Sequence, residues 1–242
     1  MKNIAASIKG KLLHIARTEQ RDYNYVCLRY LQERFMARLS QSRLRSKFVL
    51  KGALLFTVYG FSDIRPTKDV DVEGISIPND LATVHDNIQS ILAIQLSDGV
   101  DFITGSIKSE HITDDAEYTG IRITSKALVG GDSFIFQLDI GFGDKIIKAS
   151  VLNSYPTFFS DEPIEIYTYD FTTSFAEKLQ AIVDLGQFNS RMKDFYDLWF
   201  LISKYSFFFF FMVEAIKSTF NARSISLDSI SLLSKPSFKN DS

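Results

Sequence analysis

Several kinds of chemistry are excluded by what the chain lacks. A single cysteine, Cys27, rules out an intramolecular disulfide and a cysteine-based zinc site. The three histidines, His14, His85 and His111, are scattered and show no metal-ligand spacing. The longest apolar run, Phe207 to Val213, is far too short to cross a bilayer, and no signal peptide opens the sequence. A cytoplasmic protein without a membrane role is therefore expected. There is no internal repeat. What is present is ordinary for a soluble globular chain: 45% apolar residues, 23% charged residues and 22 phenylalanines as core material. A length of 242 residues suits one large domain or two closely packed lobes.

The net charge of −2 hides an asymmetry. Residues 1–50 hold eleven Lys or Arg against three acids, a net +8, so the remainder sums to −10. Arg17, Arg21, Arg34, Arg38, Arg43, Arg45 and Lys47 fall in a helical pattern whose apolar stripe is Leu28, Leu31, Phe35 and Leu39. Such a basic face holds phosphates, a triphosphate tail or an RNA backbone, or is simply a solvated helix face. Both readings stay open at this level.

The acidic residues carry more information. Asp69 and Asp71 stand two apart in Arg65-Pro66-Thr67-Lys68-Asp69-Val70-Asp71, and Asp139 lies in Gln137-Leu138-Asp139-Ile140-Gly141. A strand puts residues two apart on one face, so the Asp69–Asp71 pair projects one way while Val70 and Val72 enter a core. Adjacent carboxylates repel and are costly to desolvate, and a divalent cation with a preference for hard oxygen ligands removes that cost. A third carboxylate from another strand completes a cradle for in-line phosphoryl or nucleotidyl transfer. By itself Asp-x-Asp is equally a solvated strand end. Upstream, Phe48-Val49-Leu50-Lys51-Gly52-Ala53 runs from an apolar strand into a helical pattern. Gly52 and Ala53 let backbone approach a phosphate closely, and a helix start there offers unpaired N–H groups.

The coarse pattern has helices over 3–16, 20–44, 52–60 and from Pro78-Asn79-Asp80 to about Leu96. Strands are expected at 47–50, 67–74 and near 100–103. Two further strands, 118–128 and 133–141, flank the turn Gly130-Gly131-Asp132. After Gly143-Asp144 the chain reads as loop through Pro156 and Pro163. Helices resume near Ser174, where Ser174-x-x-Glu177 has the form of a capping box and Phe175, Leu179, Ile182 and Val183 form an apolar stripe. Gly186 is expected to stop that helix. Asn189 or Ser190 is expected to cap the next, on which Met192, Phe195, Tyr196 and Trp199 pack. The Phe207–Phe211 run reads as helix or interface packing, and Ser224 to Ser242 as a polar, loosely held tail.

Three blocks together resemble the AbiEii/AbiGii toxin family, a branch of the DNA polymerase β-like nucleotidyltransferases. They are Lys51-Gly52-Ala53 with Arg65 to Asp71; Gln137 to Asp144; and Ala176-Glu177-Lys178-Leu179-Gln180-Ala181 followed by Asn189 to Asp197. The resemblance implies an α+β fold: a polymerase β-like core of mixed sheet and helices within residues 1–150, preceded by basic helices. A helical lobe with a polar tail follows over residues 151–242. It implies an enzyme with Mg²⁺ or Mn²⁺ held by Asp69, Asp71 and Asp139, and an NTP as substrate. Lys51, Gly52, Ala53, Arg65, Thr67, Arg191 and Lys193 would bind nucleotide or phosphate, with Lys178 and Asp194 catalytic and Asp197 holding Arg191 or Lys193 in place. It further implies the toxin of a toxin–antitoxin or phage-defence pair with a separate antitoxin, and tRNA as favoured acceptor, a protein hydroxyl being the other. The competing readings are a nucleotide-binding regulator of the same fold without catalysis, and an antibiotic nucleotidyltransferase. Read without the resemblance, Glu177, Lys178, Lys193 and Asp197 form a surface ion-pair cluster, and Arg65 pins a turn through Asp63.

Overall fold

The computed structural model describes residues 4–61, 66–115, 118–143, 150–160, 162–186, 192–204 and 209–234. The chain divides into two compact units. The first spans Met1–Gly143 and Leu152–Thr168, and the second Asp144–Val151 and Tyr169–Ser242.

The first unit is built on a seven-stranded mixed sheet in the order β3-β4-β5-β2-β1-β7-β6. Its strands are β1 (Phe48–Lys51), β2 (Val70–Gly74), β3 (Val100–Asp115), β4 (Tyr118–Val129), β5 (Asp132–Phe142), β6 (Val151–Tyr155) and β7 (Ile164–Thr168). The central β2 runs parallel to β5 and antiparallel to β1. β4 and β5 form the expected hairpin, closed by Gly130 and Gly131, both at positive φ (57° and 93°), the combination that a two-residue hairpin loop requires. Alternation does the rest. Val70, Val72, Leu138, Ile140, Ile121 and Ile123 are fully buried on one face and join one core with α1 (Ile4–Thr18), α2 (Tyr23–Gln41) and α4 (Leu81–Leu92). Asp71, Asp139 and Arg122 alternate with them.

Several elements differ from the sequence reading. The stretch after Gly143 is not loop throughout: β6 and β7 lie within it, and β7 pairs in parallel with β1 through Leu50 and Thr168. Both are short and bounded by prolines, β6 pairs with β7 at the sheet edge and β7's other partner, β1, is far away in sequence, so local pattern hides them. β3 continues well past 103, with an irregularity between Ile103 and Lys108. β2 begins at Val70, because Thr67 turns the chain back by donating its hydroxyl to Asp69.

The helix α3 is only Leu54–Val58, and α4, capped by Asp80 accepting from the Thr83 N–H, ends at Leu92. Arg38 and Arg34 do not belong to a solvated basic face. Arg38 is 1% exposed and forks onto Asp98 at 2.8 and 3.3 Å, and it also donates to the Val100 carbonyl at 2.8 Å. Arg34 pairs with Glu33. Most of α2 is buried, so Glu33, Arg34 and Arg38 are internal anchors rather than a surface stripe.

Glu33, on α2, accepts the Phe158 N–H at 2.9 Å and so ties the segment after β6 to the helix. Burial pushes its carboxyl up from 4.5 to about 7, against the opposing pull of Arg34 and the Phe158 N–H. The folded state thus holds a proton that the unfolded chain releases near 4.5. Glu33 therefore contributes full stability below that pH, and the contribution is lost as pH rises through about 7. Thermal melts across this range should show the wild type losing stability towards neutral pH. In Glu33→Gln, which is uncharged at every pH, that slope should be flatter, and parallel curves for the two proteins would contradict the assignment.

The second unit holds α5 (Phe171–Leu185), α6 (Met192–Lys204), α7 (Phe209–Ala222) and a 3₁₀ segment, Leu227–Ser234. α5 starts one turn before the expected Ser174 cap. Asp170 is its N-cap, accepting the Thr173 N–H at 2.8 Å, which places Ser174 inside the helix. Gly186 ends it at positive φ, as expected. On α6 the expected packing face holds only at Phe195, which is half-buried. Met192, Tyr196 and Trp199 are exposed, while Asp194, Asp197, Leu198 and Leu201 are buried. Phe210 and Phe211 stack edge to face at 5.8 Å and are also exposed. Phe207 and Phe208, the Asn189–Ser190 cap and the end of the expected polar tail (235–242) lie outside the described residues.

Candidate active site

Register alone assembles the site. Opposite residues on neighbouring strands share a face, and the pairings Glu110↔Arg122, Arg122↔Asp139, Asp139↔Asp71 and Asp71↔Lys51 draw one line across five strands. Two carboxylates at its centre are thus flanked by a cation on each side. Asp69, just before β2, adds a third carboxylate. One oxygen from each of Asp69, Asp71 and Asp139 lies within 4.8 Å of the others, and all three side chains are half-buried. Gln32 of α2 holds the approach to this turn by donating to the Thr67 carbonyl at 3.1 Å. Three hard anionic donors at this separation fit a divalent cation of the Mg²⁺ or Mn²⁺ kind.

Both cations of the line are engaged. Arg122 forks onto Asp139, Nε to Oδ1 at 2.8 Å and Nη2 to Oδ2 at 2.7 Å, and Gln137 donates to both oxygens at 3.3 Å. This hydrogen bonding holds the Arg122 guanidinium above its ordinary value against partial desolvation. Lys51 meets the fully buried Glu73 at 2.8 Å. The room for that pair comes from Gly141, where a Cβ would stand 2.6 Å from the Lys51 Nζ and 2.8 Å from Glu73 Oε2.

Gly52 presses on the site directly. Its φ is +69°, and a Cβ there would lie 2.1 Å from Asp71 Oδ2. Gly52→Ala therefore meets both a left-handed backbone penalty of about 1–2 kcal/mol and a collision with the Asp71 carboxylate. We expect this variant to fold with lowered stability and to bind Mn²⁺ at least about tenfold more weakly, since one displaced ligand of three costs roughly a hydrogen bond to a charged group or more. Mn²⁺ titration beside a thermal melt checks both parts.

Other expected site residues are distributed as follows. Thr67 bonds Asp69, and Ala53 leads into α3 and is buried. In the second unit Lys178 sits between Asp194 at 3.3 Å and Asp197 at 2.8 Å, both acids being buried. This is a buried ion-pair cluster and not a surface one, and Lys178 is one partner of Asp197. Lys193 is exposed. Arg65 and Arg191 lie outside the described residues.

The sequence reading missed Arg122, Glu73 and Gln137 as site residues, although Arg122 was within reach. A two-residue turn at Gly130–Gly131 pairs Val129 with Asp132, and counting back along the hairpin puts Arg122 opposite Asp139.

Two solved structures from Helicobacter pylori share the fold. One is JHP933, at TM-score 0.50 and 17% identity, over 76% of this chain and 68% of that one. The other is assigned as a nucleotidyltransferase, at TM-score 0.51 and 15% identity, over 88% of this chain and 82% of that one. No curated protein sequence matches. The chain belongs to the AbiEii family of nucleotidyl transferase toxins of type IV toxin–antitoxin systems, whose family model matches residues 34–242. α1 and the first half of α2 precede the matched stretch. Among the described residues no helix is long and apolar enough to cross a membrane.

Proposed function

We propose that the chain transfers a nucleotide from an NTP to an acceptor hydroxyl, with Mg²⁺ or Mn²⁺ held by Asp69, Asp71 and Asp139. The observation that carries this is the meeting of three carboxylates, supplied by β2, β5 and the turn before β2, within 4.8 Å. When bound, the cation neutralises the triphosphate and stabilises charge that builds on the departing pyrophosphate. Asp69 and Asp71 would hold the cation and so fix where the triphosphate lies. Asp139 orients the attacking hydroxyl and takes up its proton while the acceptor oxygen bonds to the α-phosphorus and the bond to pyrophosphate breaks. The backbone at Gly52 and Ala53 offers N–H groups beside Asp71 for phosphate oxygens. Because such chemistry asks little covalent help of the protein, positioning and electrostatics supply the rate.

Lys178 and Asp194 are proposed as further catalytic residues, and Arg65, Thr67, Arg191 and Lys193 as nucleotide contacts, on family likeness alone. The favoured acceptor is tRNA and the biological role that of a toxin, in phage defence or a related setting, opposed by a separate antitoxin. Incubation with each labelled NTP, Mg²⁺ and total RNA tests the reading. Label in tRNA is the expected result. Label in protein or in a small molecule moves the acceptor, and saturable NTP binding without any transfer overturns catalysis in favour of a nucleotide-binding regulator.

A further inference from the structure

The third carboxylate of the triad is already occupied within the protein itself. Arg122 covers both oxygens of Asp139 with a fork of charge-assisted hydrogen bonds, and Gln137 approaches both from the side. The arrangement is built rather than incidental. β4 and β5 pair Arg122 directly with Asp139, and Ile121 and Ile123, fully buried on either side of Arg122, fix the strand beneath it. Glu110, opposite Arg122 on β3, faces its other side. The guanidinium remains partly solvent-accessible, with 34% of its side chain exposed against 14% for Asp139, so it has somewhere to go.

We propose that Arg122 competes with the divalent cation for Asp139 and thereby sets the cation affinity of the site. The inference rests on the metal reading above. With Arg122 in place, Asp139 is neutralised, and the two remaining charges of Asp69 and Asp71 match one divalent ion. Asp139 becomes a cation ligand only when the fork opens. A polyanionic substrate is the chemical species that favours opening, because a triphosphate offers the guanidinium a bidentate partner of higher charge. Cation and triphosphate then promote each other's binding, and by linkage the promotion is reciprocal. Towards the cation, Arg122 acts through Asp139, as a positioning residue.

The test is an equilibrium titration of Mn²⁺, read by the loss of its free-ion electron paramagnetic resonance signal, with no nucleotide present and no turnover measured. Arg122→Gln should bind Mn²⁺ about tenfold or more tightly than the wild type, the scale set by removal of hydrogen bonds to a charged group. Arg122→Lys keeps the charge but loses the fork and should fall between the two. It also serves if the glutamine variant fails to fold, which circular dichroism reports. A residue that only braced the sheet or oriented Asp139 would lower affinity when removed. Unchanged or weaker Mn²⁺ binding in both variants therefore overturns the proposal while leaving the metal site standing. If wild type and variants alike bind no Mn²⁺, the metal reading falls and this inference with it.

Discussion

Asp71→Asn should lose nucleotide transfer by about a thousandfold or more while keeping its fold. The substitution preserves shape and removes one charge from the centre of the charged line. A metal ligand worth about 4 kcal/mol of transition-state stabilisation corresponds to about that factor in rate. The fold should not suffer. Without a cation the Asp69 and Asp71 carboxylates repel one another, Asp139 being paired with Arg122, and one fewer charge relaxes that repulsion. The melting temperature in chelator is expected to stay level or rise, and cation-induced stabilisation should shrink. A variant that lost activity together with stability would point to a structural aspartate instead. Full activity would remove Asp71 from the site altogether.

The second large effect lies away from the chemistry. Arg38→Ala should destabilise the first unit by about 3–5 kcal/mol, the range found when one partner of a buried ion pair is removed. Arg38 is 1% exposed, and its guanidinium satisfies both Asp98 oxygens and the Val100 carbonyl and lies 5.0 Å from the Phe102 ring centroid. Truncation leaves a buried carboxylate with no counter-charge at the start of β3. Such a loss is a large share of the ~5–15 kcal/mol that holds a typical domain together. Urea melts should report it. A double variant with Asp98→Ala should lose less than the two single losses combined, because the stranded charge is gone. A shift under about 1 kcal/mol would place Arg38 among surface ion pairs after all.

These two residues also show what was legible in the sequence and what was not. Asp71 and Asp139 could be placed on one face because alternation assigns faces within a strand and a Gly-Gly turn sets the hairpin that carries Asp139, whereas Asp69, expected on the same strand, lies in the turn before β2. The caps at Asp80 and Gly186 follow from local backbone chemistry and were equally visible. Arg38 was misplaced because helical periodicity says which residues share a face, not whether that face is covered. Most of α2 is covered, so a charged residue sits among core residues with its partner 60 positions away. α6 failed for a related reason. Its buried stripe contains two aspartates that both pair with Lys178 from α5, so hydrophobicity chose the opposite side, with Met192, Tyr196 and Trp199. β6 and β7 were lost because five-residue strands acquire their meaning from partners such as Leu50 rather than from their own pattern.

The account depends on a divalent cation residing among the three aspartates. Crystals grown with Mn²⁺ and a triphosphate that cannot be cleaved, measured for anomalous scattering, test this most directly. The account predicts anomalous density bounded by the carboxylates of Asp69, Asp71 and Asp139. Bound triphosphate with no such density beside those residues, or with the metal held elsewhere, would contradict it.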